Sequence, residues 1–299
     1  MRFNPASHLI LLEIMNTLCE RWGLTQGSFG MRATINGASL FYLDQGHREG
    51  LPVVFLHGFP FSHAMWKDQV EVTGTFCRVI TYDMRGLGES GVGDGQYTIE
   101  GHVDDLIGLL DHLGLGKAAI VGLSMGGYIA LRALERNPER FVAAVLCDSR
   151  SEADTNDTKI KRALGVKSVK EQGSRQFAET FVKGVFAEES FLRNPGAIRF
   201  IQDIIGKTSP LSIAGTLLAL ASRTDTTDSL SRIAIPTLIL VGEHDVTTPP
   251  SASRAMHEKI RQSELFIIPD AAHMSNLENP PAFNEKLVGF LQRIAQENP

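Results

Sequence analysis

Little in this chain could cross-link it, anchor it or attract a polyanion. Three cysteines, Cys19, Cys77 and Cys147, are an odd and scattered set in 299 residues. They form no disulfide framework and read as free thiols in a reducing compartment, which implies a cytoplasmic protein. No long basic run is present and the net charge is -5, which argues against nucleic acid and anionic membrane as partners. The apolar stretch His8 to Met15 is interrupted by Glu13 and is too short to span a bilayer. No small-residue cleavage site follows it, so it does not read as a secretory signal. The nine histidines are scattered without metal-ligand spacing. His257-Glu258 is not a zincin motif, because position 261 is arginine. Neither a metal nor a cofactor is implied.

What is present is the composition of a globular protein, 43% hydrophobic and 21% charged, long enough for one large α/β domain with an insertion. Leu9, Leu12 and Leu18, with Ile10, Ile14 and Met15, fit an amphipathic helix ending near Gly23. Residues 1–30 read as an appended segment, and Met31 opens the domain proper. From there strands and helices alternate. Arg32 to Ile35 and Leu40 to Leu43 flank the hairpin signal Asn36-Gly37. Val53 to Leu56 is a continuous apolar run suited to a buried parallel strand, and Ser62 can cap a helix running through Val70. Further strands are expected at Arg78 to Tyr82, Ala118 to Val121, Ala143 to Cys147, Pro236 to Val241 and Leu265 to Ile268. A helix capped by Thr98 runs from Ile99 to about Leu113, and Pro281 to Gln296 closes the chain as helix. This alternation predicts a mostly parallel sheet covered on both faces.

Residues 149–228 interrupt the pattern. They hold helical stretches at 157–170, 174–186, 190–205 and 210–223, with Phe177, Phe181, Phe186, Phe191 and Phe200 at helix-like spacing. They read as an all-helical cap, or lid, inserted between two strands of a core formed by residues 31–148 and 229–299. Most of those aromatics are expected to pack the cap's own core, with a few facing the site.

The candidate chemistry centres on Gly122-Leu123-Ser124-Met125-Gly126, which lies between an apolar strand and a helix. A G-x-S-x-G pattern in that context forms a sharp turn whose glycines remove clashes two residues either side of the serine. A serine hydroxyl needs an adjacent base, and the base needs an orienting acid. His273 follows the last strand and Asp245 follows the strand before it, so both occupy loops at strand carboxyl ends, where ligands gather in an open α/β sheet. Glu243 is close by, and Asp148 ends the strand after the serine, so either is an alternative acid. Two backbone donors are needed for the oxyanion. Met125 supplies one, and Phe59, in the loop after Val53 to Leu56, supplies the second. Trp66 and Met274, with Phe59 and Met125, are candidates for lining the substrate site. His57 reads as a structural ring that bonds backbone. Asp83 and Arg85 read as a structural turn. Gly86-Leu87-Gly88-Glu89-Ser90-Gly91 matches a dinucleotide fingerprint only by letters, since no helix opens on it.

Taken together, His57-Gly58-Phe59-Pro60, Asp83 to Ser90, Gly122 to Gly127, Gly242-Glu243-His244-Asp245 and Ala272-His273 resemble the α/β-hydrolase superfamily from about residue 31 to 295. Within it the chain is most similar to the branch of 3-oxoadipate enol-lactonases, small carboxylesterases and cofactor-free haloperoxidase-like esterases. The resemblance implies an eight-stranded, mostly parallel sheet flanked by helices, with the helical cap inserted after the strand at 143–147. It implies hydrolysis of a small-molecule ester or lactone through an acyl-enzyme, with Ser124, Asp245 and His273 as the triad and no cofactor. Serine at 124 argues against haloalkane dehalogenases and epoxide hydrolases, which carry aspartate there, and against dienelactone hydrolases, which carry cysteine. Carbon–carbon bond hydrolases of meta-cleavage pathways remain open. So does a weakly catalytic small-molecule receptor on the same fold.

Overall fold

The computed structural model describes residues 30–298. The expected amphipathic helix and Cys19 lie outside the described residues. Eight strands form one sheet: β1 Met31–Ile35, β2 Ala38–Gly46, β3 Leu51–Leu56, β4 Cys77–Tyr82, β5 Ala118–Leu123, β6 Phe141–Cys147, β7 Thr237–Gly242 and β8 Ser263–Ile268. Their spatial order is β1-β2-β4-β3-β5-β6-β7-β8. The first two ladders are antiparallel and the rest are parallel. Asn36 and Gly37 both take positive φ, 47° and 76°, in the two-residue turn joining β1 to β2. That conformation suits the right-handed twist of a hairpin. Every residue of β5 and β7 is buried, as a central parallel strand covered on both faces requires.

The helices of the main body are α1 Lys67–Thr73, α2 Ile99–His112 and α3 Met125–Arg136. Thr98 caps α2 by accepting the N–H of Gly101 at 2.9 Å, an interaction worth about 1 kcal/mol. The helix expected from Ser62 through Val70 is instead a 3₁₀ turn, His63–Trp66, followed by α1, and the Ser62 side chain makes no capping bond.

Between β6 and β7 lie α4 Asn156–Phe181, α5 Ser190–Arg193, α6 Pro195–Lys207 and α7 Pro210–Ala221. α4 kinks at Gly173 (φ 82°, ψ 171°), where glycine alone takes the backbone without strain. Its second half ends at Phe181 rather than Phe186 and passes into a single 3₁₀ turn, Val182–Gly184. The helix expected over 190–205 is two helices. Pro195 occupies the first turn of α6, and Asn194 caps it by accepting the Ala197 N–H at 3.3 Å. Phe186 is buried, whereas Phe191 and Phe200 are each about one-third exposed. This helical insertion belongs to the same compact unit as the sheet. Helices α8 Pro250–Lys259, α9 Ser275–Glu278 and α10 Pro280–Glu297 complete the fold.

Cys77 and Cys147 are buried free thiols, and burial pushes the Cys77 thiol up to about 12. Among the described residues no single helix is long and apolar enough to cross a membrane, and no cluster of His, Cys, Asp and Glu could hold a metal ion.

Candidate active site

Ser124 stands between β5 and α3 with φ 54° and ψ -113°, a conformation that costs a non-glycine residue on the order of 1–3 kcal/mol. Two glycines make the turn possible. A Cβ on Gly122 would sit 2.3 Å from the Gly126 carbonyl oxygen, and one on Gly126 would sit 2.2 Å from that of Leu56. The turn is also fastened from below. The Ser124 N–H donates to Cys147 O at 2.9 Å, and the Ser149 hydroxyl donates to Ser124 O at 3.0 Å. A serine at a helix N-cap ordinarily spends its oxygen on the first-turn N–H groups. Here it makes no such bond, so Oγ stays available.

His273 lies past the end of β8 and Asp245 past the end of β7, both buried. The ring Nδ1 is 2.8 Å from Asp245 Oδ2. Asp245 is itself held in place. Its Oδ1 accepts the N–H groups of Thr247 (2.8 Å) and Thr248 (2.9 Å), and its Oδ2 accepts the Thr248 hydroxyl at 2.7 Å. Burial raises the Asp245 carboxyl, but the charge and hydrogen bond of His273, with Thr248, outweigh it and hold the group below the usual carboxylate range. An ionised Asp245 fixes the proton on Nδ1 and leaves Nε2 as an acceptor. Nε2 has no hydrogen-bond partner among the described residues.

Asp148 is close to this pair but plays a different part. It is fully buried at the end of β6 with φ 44°. Its Oδ1 accepts the Gly242 N–H at 2.8 Å and its Oδ2 pairs with the Ser275 hydroxyl. Neither oxygen bonds His273. Burial, followed by the charge of Asp245, pushes its carboxyl well above the usual range. The two carboxyls are thus driven apart, one ionised against the imidazole and one inclined to keep its proton. Glu243 is exposed, and its Oε2 accepts the Asp270 N–H at 3.4 Å.

Phe59 and Met125 occupy equivalent places. Leu56 of β3 pairs with Gly122 of β5, and each candidate donor lies three residues beyond its paired position. The loop is packed against the turn: a Cβ on Gly58 would come within 3.1 Å of the Leu123 side chain. Neither N–H finds an acceptor among the described residues, although both residues are buried. Orphaned buried N–H groups are rare, and two at neighbouring strand ends, one at a helix N-terminus, suit an anionic oxygen. His57 holds this loop. Its Nε2 accepts the Met84 N–H at 3.0 Å, so Nδ1 carries the proton and donates to Gly58 O at 2.9 Å. Burial keeps that ring neutral by pushing its pKa below the ordinary value. Asp83 accepts the His63 and Glu89 N–H groups in the turn that follows β4.

The Phe59 side chain meets the insertion. Its ring lies 6.3 Å from Phe177 and 5.8 Å from Phe181, both edge-on, and those two rings stack 5.5 Å apart. Two of the five insertion phenylalanines therefore reach the loop that carries the candidate donor. Trp66 does not line the site. It is fully buried between Phe55, 5.2 Å away, and Phe283 of α10, 6.4 Å away, because the 3₁₀ turn directs it into the core. Met274 is likewise fully buried within the hydrophobic core, and its N–H donates to Glu278 at 3.3 Å. Sequence reasoning missed Ser149, Thr248, Ser275 and Glu278. A polar pair such as Thr247-Thr248 just after the acid is a signal that could have found Thr248.

Residues 52–280 match the family model described as alpha/beta hydrolase fold. The chain is 29% identical to 3-oxoadipate enol-lactonase 1 of Acinetobacter baylyi over 86% of this chain and 95% of that one. Among solved structures it is similar to a thermophilic esterase from Thermogutta terrifontis, with a TM-score of 0.85 and 36% identity, covering 90% of this chain and 100% of that one. It is also similar to the enol-lactonase from Burkholderia xenovorans LB400, with a TM-score of 0.82 and 28% identity, covering 88% and 100%.

Proposed function

Because this chain belongs to the alpha/beta hydrolase family, we propose that it hydrolyses carboxylic esters or lactones of small molecules through an acyl-enzyme formed on Ser124. The observation that carries the reading is the buried 2.8 Å pair of Asp245 and His273, whose second ring nitrogen is left as an acceptor. The strained, glycine-bracketed Ser124 supports it. Names borne by the relatives, esterase and enol-lactonase, agree with the substrate class.

His273 takes the Ser124 proton at Nε2 while Oγ attacks the substrate carbonyl. The Phe59 and Met125 N–H groups stabilise the tetrahedral oxyanion. Asp245 keeps the imidazole in its productive tautomer and stabilises the imidazolium. His273 then returns the proton to the leaving alcohol or enol oxygen. Water attacks the acyl-enzyme with His273 again as base, and the acid is released as Ser124 regains its proton. The helical insertion caps the site, and its Phe177 and Phe181 narrow the space beside Phe59.

Turnover of p-nitrophenyl butyrate, with and without a serine-reactive phosphonate, tests the reading. Turnover abolished by one adduct per chain, located on Ser124, supports it. No turnover, or turnover that survives complete labelling of Ser124, overturns it. A panel of esters, lactones and meta-cleavage products sets the substrate class. Faster cleavage of a meta-cleavage product than of any ester or lactone would favour carbon–carbon bond hydrolysis.

A further inference from the structure

Glu278 closes α9, five residues after His273. Its carboxylate receives four hydrogen bonds from two distant parts of the chain. Oε2 accepts the N–H groups of Ala272 at 2.8 Å and Met274 at 3.3 Å, the residues on either side of His273. Oε1 accepts the Ala187 N–H at 2.7 Å and the Ser190 hydroxyl at 2.6 Å, both in the helical insertion. Two further bonds run alongside. Asn194 Nδ2 donates to Leu277 O at 2.8 Å, and the Thr247 hydroxyl, on the acid loop, donates to Gly184 O at 3.2 Å. Residues 184–194 of the insertion are thus tied to both loops that carry the Asp245–His273 pair.

We propose that Glu278 is a positioning residue that fixes the His273 backbone from both flanks and registers it against the insertion. This rests on His273 being the base of the proposed hydrolase. The chemistry suits the task. A carboxylate is the acceptor that can take two donors on each oxygen at once, and charge-assisted bonds of this kind are roughly twice as strong as neutral ones. The imidazole must stay aligned with Asp245 on one side and Ser124 on the other, and an error of 1 Å at a reacting group can cost on the order of a hundredfold in rate. Covalent neighbours alone leave the loop free to shift. Glu278 removes that freedom by holding the peptide units before and after the ring.

Glu278→Gln tests this with little change in volume. One oxygen becomes an NH₂, which cannot accept from an N–H, so one pair of donors loses its partner. The expected result is a fall in kcat on p-nitrophenyl butyrate of about tenfold or more with KM changed less than threefold, the pattern of a lost alignment rather than lost binding. The low-field proton resonance of His273 Nδ1–H, identified by its disappearance in Asp245→Asn, should shift or broaden. A folded Glu278→Gln protein with normal kcat and an unmoved resonance overturns the proposal. Should that variant fail to fold, Ser190→Ala removes one of the insertion's two bonds to Glu278 Oε1 and leaves the Asn194 cap of α6 intact. It should lower kcat at constant KM and broaden the same resonance, and unchanged values of both overturn the proposal. The resonance is independent of turnover. If the wild-type protein hydrolyses no ester, the hydrolase reading fails on its own, and the resonance still reports whether Glu278 positions His273.

Discussion

Replacing Asp245 with asparagine changes one functional group and reverses the two hydrogen bonds made at Oδ2. Oδ1 accepts two backbone N–H groups, from Thr247 at 2.8 Å and Thr248 at 2.9 Å. Both partners are obligate donors, so the carboxamide oxygen must remain at that position. The NH₂ then takes the place of Oδ2, 2.8 Å from His273 Nδ1 and 2.7 Å from the Thr248 hydroxyl. An amide NH₂ only donates. It stabilises the tautomer in which Nδ1 is bare and Nε2 carries the proton. That tautomer cannot accept a proton from Ser124. The loss in kcat should be about 10⁴-fold, as when the orienting acid of a serine hydrolase is so replaced. It corresponds to about 5.5 kcal/mol in the barrier.

Asp148 is the control, since it is the alternative acid in space as well as in sequence. Asparagine fits there without conflict. Its oxygen keeps the Gly242 N–H, 2.8 Å from the present Oδ1, and its NH₂ faces the Ser275 hydroxyl, which can accept. Asp148→Asn should therefore cost less than about tenfold in kcat, a barrier change under 1.4 kcal/mol. The assay is kcat and KM on p-nitrophenyl butyrate for both variants, with the thermal midpoint measured alongside. A folded Asp245→Asn protein within tenfold of normal turnover, or a larger loss from Asp148→Asn, would refute the assignment of the acid.

Ser124→Ala should lower turnover by on the order of 10⁴-fold or more while leaving the thermal midpoint nearly unchanged, and more than a tenth of normal activity would sink the nucleophile. Ser124→Gly should unfold at a higher temperature than Ser124→Ala, because glycine adopts φ 54° without the Cβ penalty; equal midpoints would show that the turn stores no strain. Asp245 and Asp83 are both held below the usual carboxylate range, so their stabilisation is present above the unfolded value and is lost as pH falls through the folded one. Asp148, shifted upward, has the opposite sign: its stabilisation is present below the unfolded value and is lost as pH rises through the folded one. The midpoint of Asp148→Asn relative to wild type should therefore climb with pH, and a flat difference would refute a raised Asp148. The ring cluster of Phe59, Phe177 and Phe181 should favour p-nitrophenyl butyrate over the palmitate and n-butyl acetate over tert-butyl acetate, by about 1–3 kcal/mol per misfit group. Equal or inverted specificity constants would show that the pocket is open.

The sheet was legible because its strands are written as short apolar runs separated by punctuation. Val53 to Leu56 reads as a buried strand from four residues, and Asn36-Gly37 names its own turn. Helix ends were less legible, since they depend on competition between neighbours. Pro195 and Asn194 split a stretch whose apolar spacing is continuous, and the 3₁₀ turn at His63–Trp66 replaces the helix that Ser62 suggested. That turn also decides Trp66. A large aromatic just after the His57-Gly58-Phe59 loop suggests a substrate wall, yet the local backbone packs it between Phe55 and Phe283. Strand-end position pointed to Asp245 and His273, which stand 2.8 Å apart. The groups that brace the candidate site from distant parts of the chain were not legible. Ser149, Ser275 and Glu278 act through bonds to residues 25, 127 and about 90 positions away, and no short motif encodes such a partnership.

The same separation of scales divides chemistry from specificity. The serine turn, its two glycines and the donor at Met125 lie within five consecutive residues, so one short segment fixes their relative placement. Phe59 is different. The position of its N–H follows from the pairing of β3 with β5, whereas the space around its ring is set by Phe177 and Phe181, more than a hundred residues later on a helix that kinks at Gly173. A change on α4 can therefore reshape the space beside Phe59 without moving the Phe59 and Met125 N–H groups proposed as oxyanion donors. The reverse does not hold, because Phe59 contributes to both. Substitutions at 177 and 181 should thus shift the ratio of specificity constants between butyrate and palmitate, whereas a change at Phe59 should lower both.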